Sequence, residues 1–222
     1  MKTYSDYLRY VNQKETWNMI VIEGVVGVGK SSLMRHIAKN GYEAFEEPVV
    51  DNPILPKFYY DRKRYSFPLQ IFFLNKRFKH IKEASHIDKS VLDRSIYGDA
   101  IFAKMLCHGG DMEDEEYAIY EELLENMLEH VAKPKLMIYL EVSVDEAIRR
   151  IQKRGFEYEQ VVEREYWETL NNEYRTFFDQ YTISPILKIN VDALDFEKNS
   201  KDLDYIIELI NEKLATLDET II

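Results

Sequence analysis

The run Gly24-Val25-Val26-Gly27-Val28-Gly29-Lys30-Ser31 restricts this chain more than any other feature. It fits G-x-x-x-x-G-K-[ST] without a gap and follows the apolar stretch from Trp17 to Glu23, which predicts a buried parallel strand. A helix is predicted from Ser31 to Lys39, stopped near Asn40-Gly41. Between strand and helix the glycines let backbone N–H groups curl around phosphate oxygens, and the helix N-terminus adds a favourable dipole. Gly24, Gly27, Val28, Gly29, Lys30, Ser31 and Ser32 are therefore the expected nucleotide-binding residues. Lys30 is placed to reach the β- and γ-phosphates, and Ser31 to ligate the magnesium that bridges them.

The rest of the chain repeats the strand-then-helix rhythm. Strands are predicted at Glu43–Phe45, Ser90–Asp93, Lys135–Val142 and Ile186–Val191. Helices are predicted at Ser66–Ala84, Asp99–Leu106, Met112–Glu129 and Asp202–Leu217, with Ser143 and Glu146 as a capping box before another. Strands separated by helices need crossovers, so the fold class is α/β, with a parallel sheet of about five strands flanked by helices. The 222 residues suit one domain from 17 to 222 after an N-terminal extension, 1–16.

A net charge of -11 argues against a nucleic-acid polymer as partner but permits a nucleotide in a local basic pocket. No apolar run is long enough to span a membrane, and the start lacks a signal peptide's apolar centre. With one cysteine, Cys107, the expected location is the cytoplasm. The acidic helix Met112–Glu129 needs no metal to explain it; a solvated face suffices.

A phosphate cradle alone does not separate a kinase from a switch. The acceptor side is more informative. Glu46-Glu47-Pro48 follows the second strand and Asp93-Arg94-Ser95 the third, and both belong at the rim that carries the phosphate loop. A carboxylate there can accept a hydroxyl proton, Asp93 can help hold magnesium, and Arg94 can offset charge on a transferring phosphoryl group. Arg77 falls two helical turns after Gln70, on the same face.

These spaced segments, with Phe58-Tyr59-Tyr60-Asp61, Tyr65-Ser66-Phe67-Pro68-Leu69-Gln70 and Asp93-Arg94-Ser95-Ile96-Tyr97-Gly98-Asp99, resemble the deoxynucleoside kinase family. The resemblance runs from about Trp17 to Phe178. It implies a P-loop kinase that moves the terminal phosphate of ATP, with Mg2+, onto the 5'-hydroxyl of a deoxyribonucleoside. By the same resemblance Glu47 is the general base, Tyr59 and Glu165 hold the sugar 3'-hydroxyl, Gln70 meets the base edge, and Arg77 with Asp99 closes its far side. Arg94 contacts the 5'-oxygen. A basic lid at about 149–160, with Arg150 and Arg154, folds over the ATP phosphates, and packed helices form a homodimer. Phe156 departs from the pattern: relatives commonly carry an arginine there. The resemblance also implies a base preference: many animal relatives have an arginine after the aspartate matching Asp99, and the small Ala100 in its place points to deoxyadenosine or deoxyguanosine, with deoxycytidine second and thymidine last. A thymidylate-kinase-like enzyme is the alternative, but residues 46–51 bring three acids and no arginine to meet a phosphorylated acceptor. A nucleotide-dependent switch or scaffold leaves Gln70, Arg77 and Asp99 unexplained.

Overall fold

A computed structural model of the chain describes residues 3, 4, 6, 16–49 and 52–219. Most of the expected extension, and Val50 and Asp51 of the acceptor segment, lie outside the described residues.

Five strands, β1 (Thr16–Glu23), β2 (Glu43–Phe45), β3 (Ser90–Asp93), β4 (Lys133–Glu141) and β5 (Ile186–Asn190), form one sheet in the order β2-β3-β1-β4-β5. Every pairing is parallel. Consecutive side chains of a strand face opposite sides, and Met19, Ile20, Val21 and Ile22 are all buried. Both faces of β1 are therefore covered, which explains why its sequence is a continuous apolar run rather than an alternation.

The covering helices are α1 (Lys30–Ala38), α2 (Leu55–Tyr60), α3 (Arg62–Ala84), α4 (Asp99–His108), α5 (Asp114–Leu128), α6 (Val144–Arg154), α7 (Arg164–Asp179) and α8 (Ser200–Glu219). The β4–α7 contact is aromatic: Tyr139 stacks on Phe178 with ring centres 4.3 Å apart. Tyr4, from the expected extension, is buried against α4 and α7. Its ring meets Phe177 edge-on and lies 4.1 Å from the Lys104 ammonium, while its hydroxyl donates to Glu173.

Helix α3 starts a turn before its predicted start at Ser66 and carries Pro68 inside it. Proline favours a first helical turn, but Asp61 wins by accepting the Arg64 N–H at 3.3 Å and so capping the earlier start. Ser143 caps α6 as expected, accepting from the Glu146 N–H at 3.3 Å. The reciprocal half of the box is replaced, because the Ser143 N–H donates to Asp192 while the Glu146 carboxylate binds Arg149 and Arg150.

Register places the site. Ile22 of β1 pairs with Asp93 of β3, so both strands end on one rim, one in Gly24 and the other in Arg94.

Candidate active site

The phosphate loop leaves β1 at Gly24, whose φ of 149° and close approach to β4 both exclude a side chain: a Cβ would sit 2.7 Å from the Leu140 carbonyl oxygen. At Gly29 (φ 106°) a Cβ would meet the Phe196 ring at 2.6 Å. Lys30 donates to the Gly24 and Val25 carbonyls at 3.1 and 3.0 Å. Burial, with the nearby Arg94 charge, pushes its ammonium down to about 8.

Ser31 donates to Asp93 Oδ2, and the buried Asp93 Oδ1 has no hydrogen-bond partner among the described residues. Burial raises the Asp93 carboxyl against the pull of Lys30. A hydroxyl beside an orphaned carboxylate oxygen is a donor set that suits Mg2+, which takes few protein oxygens and keeps water and phosphate for the rest.

Glu47 lies where two arginines meet. Its Oε1 accepts from Arg77 Nη2 at 2.8 Å and is 2.8 Å from Arg94 Nε. Burial alone would raise this carboxyl, but Arg94, Arg77 and Lys30 override it and hold it at about 2. Arg77 also pairs with the buried Asp99 and lies 4.6 Å above the Phe73 ring. Arg94 has a left-handed backbone, φ 68°, unusual for a residue with a side chain. Its guanidinium lies near the rings of Phe102 and Tyr174 and donates to the Tyr174 hydroxyl.

Glu23 holds this arrangement from below. Its Oε1 accepts from the Ser95 N–H at 2.9 Å and the Ser95 hydroxyl at 3.2 Å, and Oε2 is 3.8 Å from Arg94. Burial raises its carboxyl. A charged residue ending a buried apolar strand was the available signal for it.

These parts surround a cavity of about 520 Å³. One end carries Gly27, Gly29, Lys30, Ser31, Ser32, Arg35 and the turn Asp195-Phe196-Glu197, which follows β5 at the same rim; Glu197 accepts from Ser32 at 2.8 Å. The other end carries Glu47, Tyr59, Gln70, Arg77, Arg94 and Phe102. Gln70 is buried, and no hydrogen bond among the described residues engages its amide. Gly24 and Val28 do not line the cavity; they shape the loop, Val28 through a carbonyl that accepts from Arg150 at 3.0 Å.

Two expectations change. Glu165 lies exposed on α7, outside the cavity lining, because its register there turns Tyr166 and Trp167 inward instead. Glu159, in the 3-10 turn Glu157–Glu159, is the acid that reaches the cavity beside Tyr59; its charge is among those acting on the Tyr59 phenol. Arg150 lines the cavity, but its guanidinium is taken up by Val28, Val191 and Leu194 carbonyls and by Glu146. It ties the phosphate loop to the turn after β5. Arg154, on the last turn of α6, grips Glu159 with bonds of 2.5 and 2.6 Å.

A phosphate loop at the centre of a five-stranded parallel sheet, opening onto a cavity with a second charged end, defines a P-loop kinase. The deoxynucleoside kinase family pattern matches residues 20–215, and the chain belongs to that family. It is 41% identical to a deoxyguanosine kinase of Lactobacillus johnsonii, over 90% of this chain and 93% of the relative. It is 37% identical to a deoxyadenosine/deoxycytidine kinase of Bacillus subtilis, over 87% and 91%. A solved structure of deoxyadenosine kinase from M. mycoides with bound dATP superposes with a TM-score of 0.78 at 35% identity, covering 87% of this chain and 99% of that one. Among the described residues no helix is long and apolar enough to cross a membrane.

Proposed function

We propose that the protein phosphorylates the 5'-hydroxyl of a purine deoxyribonucleoside, with ATP bound at the phosphate-loop end and the nucleoside at the Glu47 end. The observation that carries this reading is the neutralisation of both acceptor-side arginines: Arg77 and Arg94 are engaged by Glu47, Asp99 and Glu23. An acceptor that already bore a phosphate would need free cations there, whereas an uncharged hydroxyl fits a cluster whose two guanidiniums already face three carboxylates.

In this reading Glu47 orients the 5'-hydroxyl and receives its proton. A carboxylate held near 2 is a weak base, so the proton moves late, after the bond to phosphorus has begun to form, as a loose transition state allows. Lys30 and Arg94 stabilise charge on the phosphoryl oxygens. Ser31 and Asp93 would hold Mg2+, which would supply positive charge against the charge of the phosphates. Tyr59 and Glu159 take the sugar 3'-hydroxyl, and Gln70 with the Arg77–Asp99 pair takes the base. The preference for a purine rests on the names of the relatives.

A homodimer and a cytoplasmic location belong to the same reading. Ile119, exposed on α5, and the partly buried Phe72 and Phe78 of α3 offer an apolar surface for helix packing, which sedimentation tests. The deciding assay measures ATP-dependent phosphate transfer to the four deoxynucleosides and, separately, to their monophosphates. Turnover of monophosphates alone would replace this reading with that of a nucleoside monophosphate kinase.

A further inference from the structure

Phe156, which follows Gly155 at the end of α6, is 39% exposed. Scattered exposed apolar side chains are ordinary, but this one belongs to a series. Phe156 stacks on Tyr158 with ring centres 5.4 Å apart and planes at 16°, and Tyr158 stacks on Tyr59 at 5.5 Å and 18°. The Arg154 guanidinium lies 4.9 Å from the outer ring. Gly155, in the left-handed region at φ 80°, ends α6 and turns the chain so that the rings can line up.

We propose that Phe156, Tyr158 and Tyr59 form an aromatic ladder that registers the lid on the nucleoside, making Phe156 a positioning residue for the acceptor rather than a contact for ATP phosphates. The inference rests on the function proposed above. A phenyl ring has no charge for a phosphate, but it fixes two groups at once. It covers one face of Arg154, whose fork in turn aims Glu159 into the cavity, and through Tyr158 it presses on Tyr59. Both proposed partners of the 3'-hydroxyl are thus aligned by contacts that begin at Phe156. Stacking is short-ranged and needs a flat ring, so a branched aliphatic side chain cannot substitute for it.

Kinetics of Phe156→Ala, Phe156→Leu and Phe156→Tyr, with trypsin digestion of each protein without ligand, test the ladder. Loss of one stacked pair converts to about 2- to 10-fold in binding. Phe156→Ala and Phe156→Leu should raise the deoxynucleoside KM by that factor and leave the ATP KM within about twofold, while Phe156→Tyr stays near wild type. Trypsin should cut after Lys153 or Arg154 faster in the Ala and Leu variants. An unchanged deoxynucleoside KM, a rise confined to the ATP KM, or wild-type behaviour of Phe156→Leu would overturn the ladder while leaving the kinase reading intact. Wild-type protein that transfers no phosphate to any deoxynucleoside would instead overturn the function on which it rests.

Discussion

Arg77 donates to Glu47 at 2.8 Å, so a residue assigned to the base also touches the residue assigned to the sugar hydroxyl. The same guanidinium pairs with Asp99 at its other end. One arginine therefore spans the acceptor cavity, and changes at the base-binding end should reach the reacting end.

Replacing Glu47 by Gln should preserve the shape of the contact but remove the proton acceptor. We expect kcat to fall by about 10²-fold or more with ATP binding retained. Single-turnover rapid quench checks this, and near-normal chemistry would remove Glu47 from the role.

Arg77→Met tests the span itself. It leaves Asp99, with 1% side-chain exposure, as a buried unpaired charge, and removing one partner of such a pair costs about 3–5 kcal/mol. Denaturant unfolding should register that loss. The Glu47 contribution can be read separately from pH. A carboxyl lowered from the usual 4.5 to about 2 gives stability that is complete above 4.5 and is lost as pH falls towards 2. In Arg77→Met that loss should still begin near 4.5, which the unfolded chain sets, but it should be smaller and be complete at a higher pH.

Lys30 has the opposite sign. Its ammonium is lowered to about 8 in the folded protein, so between 8 and 10.5 the unfolded chain binds more protons and stability from this group rises with pH. ATP phosphates restore the charge. Calorimetric titration with ATP at pH 8.5 in two buffers of different ionisation enthalpy should reveal proton uptake that Lys30→Ala abolishes; equal enthalpies in wild type would refute the assignment.

Glu159→Gln and Glu165→Gln separate the two candidates for the 3'-hydroxyl. The Glu159 change should reduce kcat/KM for a deoxynucleoside by about 10-fold, the scale of one charged hydrogen bond, and weaken discrimination against a 3'-deoxy analogue, with Tyr59 supplying what remains. The Glu165 change should leave both near wild type, and the reverse pattern would reinstate Glu165.

The strands and the phosphate loop were legible because their signals are local: β2 and β3 have the bounds that their composition predicts, and Lys30 and Ser31 take their places from the loop motif. Glu159 was not legible for a physical reason. Glu157, Glu159, Glu163 and Glu165 are equivalent as sequence, and only the left-handed turn at Gly155 and the short 3-10 turn decide which one faces inward. The span of Arg77 to Glu47 and the burial of Glu23 beneath Ser95 likewise depend on strands that meet only in the assembled sheet.

The parallel sheet also sets when the nucleotide site can appear during folding. β1 pairs with β3 through Met19 and Ser90, and with β4 through Ile20 and Leu136, so both flanking strands arrive only after long loops have closed. Contacts so distant in the chain form slowly. Until they form, Ser31 has no Asp93 and the loop no rim on which to rest. Nascent protein lacking β4 should therefore ignore ATP, and ATP added during refolding should slow unfolding of the finished protein without hastening its formation.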